Sequence, residues 1–589
     1  MSTAHSILNR EVRRRHGIFY TPDALAHSIA QWAVTKPGAT ILDPSFGGCA
    51  FLRAAVSRLR NLQAPCAARQ VFGADRDPAA RTWLSSILEQ GAHEEQFLFQ
   101  DFLSLRPQQF RTLFSAVLGN PPYVKHHSIP HRLQRAAARA LTENDLRLSA
   151  MASYWAYFVL HSIDFVAPGG RLALILPGSL IHADYASVVR TSLKDAFGKV
   201  TAIFLQERIF PEAEEESVLL FAEQRGQKMT EVRVGLASCT SIRLDEEGLD
   251  RCTQPLASPE GEDSWLRAIL DSKVLSIYDQ AATQCCQLRD KAKIRIGTVT
   301  GANRFFVLRP SVFRELSIPR HYATPILSRA SLLHGLVFDK TALKNAHKSD
   351  CACLLIRPPL RASTDSAVKA YLRRGIKEGI HERLKCSIRE PWYRVRIGTV
   401  PHAFLTYMSG MAPRLVLNTA QIPSTNAIHG LTWLETVSER ESRSIAVGFL
   451  STLTQLSAEL EGRSYGGGVL KLEPSEAGSL LIPLLGSDTP RTIFRSAHQL
   501  CRQGDESSAT QMVDEILQRE LLTRSELSRL RVGLQMLRRR RLGRIVVQLG
   551  GEETVPTQIE SPPNLNPLTA PAHRFGDLHQ SKLLANGLP

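Results

Sequence analysis

The sequence predicts an α/β fold, with a mostly parallel sheet between helices over the first 225 residues, then a mixed α+β region, then a helical end. Three observations carry this prediction. In the first part, short apolar β-rich runs alternate with helix-length stretches, and strands separated in that way need crossover connections that cover a parallel sheet on both faces. From about residue 291 the alternation stops, and glycine, proline and aromatic residues punctuate the chain. From Asp505 to Gln548 the apolar period is helical.

In order, the strand candidates are residues 40–42, 70–73, 116–118, 171–176, 200–204 and 217–221. They place a first domain at 1–225. Residues 226–290 form a connecting region, with a charged stretch at 245–262 that contains Pro255 and Pro259. A second domain of different architecture spans 291–500, and a basic helical segment spans 501–550. That segment carries Arg531, Arg538–Arg541 and Arg544 with no acid between Arg531 and Arg544, a run that serves as a phosphate contact or as a solvated face. Residues 551–589 hold six prolines and little apolar periodicity, so a disordered tail is expected.

Composition narrows the function classes. With 72 Lys+Arg against 56 Asp+Glu in 589 residues, the formal charge is +16. That excess favours a polyanionic partner, nucleic acid first. No apolar run approaches the ~18 residues of a membrane span, and the first residues are charged without the apolar core of a secretory signal. A cytoplasmic protein with no membrane partner is expected. The ten cysteines show no paired CxxC spacing, so they are read as reduced thiols and no metal site is expected.

The residues that carry chemistry follow the strands directly, where open parallel sheets bind ligands. Asp43-Pro44-Ser45-Phe46-Gly47-Gly48-Cys49 joins a strand to a helix. Its glycines let the backbone approach a ligand, although a tight βα connection explains them equally well. Asp75 ends the second strand, placed to accept hydrogen bonds from ribose hydroxyls, while Asp77 before Pro78 caps the next helix. Asn120-Pro121-Pro122-Tyr123 follows the strand ending at Gly119. Its other reading is an Asn-Pro turn, but its chemistry is specific. An exocyclic amine on an aromatic base is a poor nucleophile because its lone pair is delocalised. If the Asn120 side-chain oxygen and the Pro121 carbonyl each accept one of its N–H bonds, the nitrogen can turn tetrahedral and aim that lone pair at an electrophile. The prolines stiffen the loop, and Tyr123 offers a stacking face.

The order Gly17-Ile18-Phe19-Tyr20-Thr21-Pro22, Asp43-Pro44…Gly47, Asp75, Gln100-Asp101-Phe102-Leu103 and Asn120-Pro121-Pro122-Tyr123 resembles the gamma-class DNA N6-adenine methyltransferases of restriction–modification systems. The resemblance implies a Rossmann-like methyltransferase domain and S-adenosyl-L-methionine as cofactor. Thr21 and Pro22 would hold its methionine part, Asp43, Pro44 and Gly47 would wrap it, Asp75 would take the ribose, and Asp101 would lie near its adenine. Asn120, Pro121, Pro122 and Tyr123 would grip a flipped adenine, with Phe210 as second stacking aromatic, a residue that would otherwise read as core. The family usually has Gly-x-Gly in the first turn, where this chain has Gly47-Gly48-Cys49.

The second half is similar to the family's target-recognition region through Gly297–Phe306, Pro391-Trp392-Tyr393, Leu417-Asn418…Ser424-Thr425-Asn426 and Ser464–Pro474. Alone, Trp392-Tyr393 reads as core and Gly466-Gly467-Gly468 as a flexible loop. Arg304, Arg373, Arg374 and Arg394 serve phosphates, base edges or simply solvent. The implied partners are double-stranded DNA and a separately encoded restriction endonuclease. Competing readings are methylation of RNA, of cytosine N4 or of a protein glutamine, and a catalytically silent DNA-binding subunit.

Overall fold

The structure, a computed structural model, describes residues 19–124, 148, 152–183, 185–205, 209–210, 216–238, 244–256, 265–358, 365–465, 468–485 and 491–542. Gly17, Ile18, Gly466, Gly467, Arg544 and the 551–589 tail lie outside them. Nine strands form the first sheet: β1 (Ile41–Asp43), β2 (Val71–Ala74), β3 (Phe97–Leu98), β4 (Phe114–Gly119), β5 (Val166–Pro177), β6 (Phe197–Leu205), β7 (Ser217–Arg225), β8 (Glu231–Ala237) and β9 (Thr253–Pro255). Their order is β3-β2-β1-β4-β5-β7-β6-β8-β9. Neighbours from β3 to β5 are parallel, as are β6 and β8, while β7 runs antiparallel between β5 and β6. The sheet is thus mostly parallel, and all six expected strands are in it.

Burial explains why these strands were legible. In β4, Ala116 and Leu118 enter one core and Val117 the other; in β5, Ala173 and Ile175 oppose Leu172 and Leu174 in the same way. A strand packed on both faces must be apolar at every position rather than at alternate ones. The chain runs outward from β1 through β2 to β3, then returns to β4 on the other side of β1. That reversal opens a crevice at the carboxyl ends of β1 and β4, where Asp43 and Asn120 stand.

The stretch 226–290 carries β8 and β9, which extend the sheet rather than merely leaving it. β8 pairs with β6 along its whole length. Beyond it, a five-stranded sheet runs in the order Ala292–Ile296, Ile428–Trp433, Ala403–Thr406, Leu415–Asn418, Val337–Phe338. Its pairings are antiparallel except the last, and helices Glu439–Gly448 and Thr452–Glu461 pack nearby, so this region is mixed α+β.

Helices Arg491–Arg502, Glu506–Glu520 and Arg524–Leu542 close the described chain. Leu527, Leu530, Leu534 and Leu537 join the same apolar core as Phe204 of β6 and Val274. The arginine run does not form a phosphate stripe or a solvated face: Arg540 and Arg541 are 5% and 4% exposed. Among the described residues, no helix is long and apolar enough to cross a membrane.

Candidate active site

Asp43 ends β1 and is buried, and one of its carboxylate oxygens accepts the Ser45 N–H at 3.0 Å. Ser45 in turn donates its hydroxyl to the Asn120 backbone carbonyl at 3.2 Å, tying the turn after β1 to the loop after β4. Gly47 has a φ of +42° and Cys49 one of +61°, both left-handed. A Cβ on Gly48 would stand 3.0 Å from the Tyr20 ring, so that exposed ring would have to shift by a few tenths of an ångström to admit it. Arg53, on the helix that follows, donates to the Gly48 carbonyl at 2.6 Å and pairs with Asp23 at 2.8 Å, bracing the turn from outside. Cys49 therefore keeps the backbone of the glycine it replaces. Burial, then the negative charge of Asp43, pushes its thiol up to about 12, so it acts as packing and not as a nucleophile.

Asp75 follows β2. Its two oxygens accept the Gly47 N–H at 2.9 Å and the Asp77 N–H at 2.8 Å, and burial raises its pKa. Asp77 caps the short helix at Pro78–Ala80 by accepting from the Ala79 N–H at 3.0 Å, as its place before proline suggested. Asp101 accepts the Leu103 N–H at 3.0 Å and the Tyr154 hydroxyl at 2.7 Å. Tyr154 comes from the helix Tyr154–Ile163, and nothing in the sequence pointed to it. Burial first, and Asp101 second, push its phenol above the ordinary range, fixing it as a donor.

Asn120 is held by the segment before the first described helix. Its side-chain amide donates to the Phe19 carbonyl at 3.0 Å and to the Thr21 hydroxyl at 3.4 Å. Its Oδ1 is buried without a hydrogen-bond partner. Thr21 and Pro22 thus sit beside Asn120, and Pro22 precedes the helix Asp23–Ala33 as its cap residue. Together these residues line a cavity of about 1220 Å³: Thr21, Pro22, Asp43, Pro44, Gly47, Asp75, Asp101, Asn120 and Pro122 all face it, joined by Phe19 and Tyr154. The turn after β1 and the loop after β4 meet in one crevice.

Tyr123 and Phe210 stand apart from that wall. Phe210 is 4% exposed and stacks on Phe19 with centroids 5.3 Å apart and planes at 23°. Tyr123 meets Phe19 at 5.4 Å and Phe210 edge-on at 6.3 Å and 81°. A base sandwiched between two rings needs parallel faces separated by two contacts of about 3.5 Å each. The expected pair of stacking faces is therefore folded into a cluster of three rings, with Phe19 as the member that sequence reasoning did not single out.

A family model described as N-6 DNA Methylase matches residues 7–239, and one described as Type II methyltransferase M.Eco57I, C-terminal domain, matches residues 262–518. Type II methyltransferase M.AccI of Acinetobacter calcoaceticus is 23% identical over 492 residues, covering 81% of this chain and 87% of that one. Type II methyltransferase M.XamI of Xanthomonas campestris pv. amaranthicola is 23% identical over 488 residues, covering 80% and 86%. Among solved structures, the Type IIL restriction-modification enzyme MmeI in complex with DNA aligns with a TM-score of 0.52 at 11% identity, covering 91% of this chain and 76% of that one, a likeness of fold. With the first family matched over the half that builds the cavity and the second over the half that follows, the chain belongs to the N6-adenine DNA methyltransferases of restriction–modification systems.

Proposed function

We propose that the chain methylates the N6 amine of an adenine extruded from double-stranded DNA, with S-adenosylmethionine as donor. The observation that carries this reading is the Asn120 Oδ1, a buried acceptor that lacks a partner in the wall of the cavity. The residues present fit the donor: the glycine turn leaves space for it, and the carboxyl groups of buried Asp43 and half-buried Asp75 favour a cation. Thr21 and Pro22 would face its methionine part, Asp75 its ribose hydroxyls, and Asp101 with Tyr154 its adenine. When bound, it supplies an electrophilic methyl group on a sulfonium.

The protein's own part is orientation. Because Phe19 and Thr21 engage the Asn120 amide nitrogen, the side-chain oxygen is held in one orientation. It accepts one N–H of the target amine and the Pro121 carbonyl accepts the other, which drives the nitrogen toward tetrahedral geometry with its lone pair free. The base must leave the duplex, at a cost of a few kcal/mol that stacking on Tyr123 and Phe210 offsets. Phe19 must swing off Phe210 to admit it. We propose also that cleavage at the same sequence belongs to a separately encoded endonuclease, in keeping with the similarity to proteins named as methyltransferases over most of their length. Incubation with labelled S-adenosylmethionine and duplex DNA, followed by digestion to nucleosides, tests the reading. N6-methyladenine is expected; N4-methylcytosine, or label in RNA alone, would overturn it.

Asp75→Ala is expected to weaken donor binding by about 1–3 kcal/mol, the value of hydrogen bonds to a charged group. Calorimetric titration that gives an unchanged affinity, with the fold intact, would remove Asp75 from the site. Asp43 supplies a pH test. Burial, and next in the same direction the nearby Asp75, push its carboxyl up from 3.8 to about 8. The folded chain therefore binds this proton more tightly than the unfolded one, so the group costs stability increasingly as pH rises from about 4 to 8. A cationic donor beside Asp43 favours the ionised form, so binding releases the proton. Donor affinity is expected to rise with pH up to about 8 and then level off, by at most tenfold per unit. Asp43→Asn should flatten this profile and raise the melting temperature of the free enzyme at pH 8 more than at pH 5. Equal pH profiles in the two proteins would show that Asp43 does not titrate with binding.

A further inference from the structure

A second cleft, of about 610 Å³, lies in the latter half of the chain. One wall is the strand Ala292–Ile296 and the turn that follows it; the other is the segment 388–399, which bends and turns as far as Tyr393 and has no regular structure beyond it. In that stretch Tyr393 and Val395 are buried in an apolar core with Phe305 and Tyr371. Burial alternates along these four residues, with Tyr393 and Val395 inward and Arg394 and Arg396 both exposed. Arg295 is exposed on the opposite wall. Arg389 has a different role: its guanidinium donates to the carbonyls of Thr300 at 2.7 Å and Val299 at 2.6 Å, bracing one wall against the other.

Among the described residues, Arg295, Arg394 and Arg396 have no carboxylate partner. Between Arg383 and Arg396 there are five basic residues and one acid, Glu390, which also lines the cleft. The rim is not purely polar. Ile296, Val299 and Ile388 are 52%, 39% and 71% exposed. Phosphate contacts use cations and amides but have no use for exposed aliphatic groups. The major-groove edges of bases use both: an arginine fork fits the O6 and N7 of guanine, aliphatic groups meet the thymine methyl, and a carboxylate accepts from the cytosine amine.

We propose that this cleft reads the major-groove edge of the recognition sequence, with Arg394 and Arg396 each holding a guanine. The proposal rests on the DNA-methylation reading above and adds to it the residues that set sequence preference. Full-length wild type, Arg394→Ala and Arg396→Ala would each be expressed in a bacterial host without adenine methylation, and every methylated adenine mapped by single-molecule sequencing. Wild type is expected to mark one motif. Each variant should mark that motif with one G·C position relaxed, discrimination there falling about 10- to 100-fold while the other positions hold. Both side chains are exposed, so melting temperatures should stay at the wild-type value. An unchanged motif, methylated normally or with uniformly lower efficiency, would assign these arginines to phosphates or solvent and overturn the proposal. Wild type that marks no adenine would instead sink the methylation reading itself, visible before any variant is compared.

Discussion

Replacement of Asn120 by alanine is expected to slow methyl transfer by roughly 10²–10³-fold, the cost of deleting one preorganised group that meets developing charge. Affinity for DNA and for the methyl donor should stay within about threefold of wild type. The asymmetry follows from where the oxygen stands. Oδ1 is buried and has no partner, and it cannot swing away, because Phe19 and Thr21 anchor the amide nitrogen. In the ground state the target amine is nearly planar and a poor hydrogen-bond partner in this geometry. As the lone pair forms the new bond to the methyl carbon while the S–C bond breaks, the nitrogen gains positive charge, its N–H bonds become more acidic and the bond to Oδ1 strengthens. An interaction that grows toward the transition state raises kcat and contributes little to binding. Single-turnover rates measured alongside equilibrium binding separate the two. If DNA affinity falls as far as the rate does, Asn120 binds the base but does not activate it.

The first sheet was legible because its strands are buried on both faces and so stand out as continuous apolar runs, and because chemistry-bearing residues follow them at once. β3, only two residues long, leaves no such mark. β8 was missed for a different reason. Glu231–Ala237 mixes charged and apolar residues, and Arg233 reads as a connector until Glu231, Asp250 and Thr253 are seen around its guanidinium. Within the site, each motif named its own residues, while their partners lay far along the chain. Phe19 is 101 residues from Asn120, and Tyr154 is 53 from Asp101. Arg394 drew notice as a basic residue. Its place beside Arg396 and Arg295 in one cleft needed an irregular segment and a strand brought together by the fold.

The arginine run of the last helix shows how charge in a sequence can mislead, and it yields the largest expected loss of stability. Arg541 donates to both oxygens of Glu459, at 2.8 and 2.6 Å, and to the carbonyls of Gly410 and Met411. Glu459 is 2% exposed, on the helix Thr452–Glu461. Arg540 pairs with Glu216 at 2.8 Å and lies over the Phe204 ring, joining this helix to the first sheet just before β7. Arg531 meets the buried Asp514 at 2.9 Å. Three of the cations thus pair with carboxylates that are buried or nearly so, and of the run 538–541 only Arg539 is exposed. Arg541→Ala would leave Glu459 buried with Arg538 as its one remaining cation, at 3.6 Å. Removing one partner of a buried pair costs about 3–5 kcal/mol, far more than the pair itself contributes over an apolar replacement. Arg539→Ala, with nothing enclosed to strand, should stay within about 0.5 kcal/mol of wild type. The double replacement Arg541→Met with Glu459→Met should recover much of the loss, since it removes both charges together. Denaturant unfolding of these variants, set beside the salt dependence of DNA binding, decides the matter. A wild-type midpoint for Arg541→Ala, accompanied by a salt slope shallower by about one, would return the run to the phosphate-binding role that its sequence suggests.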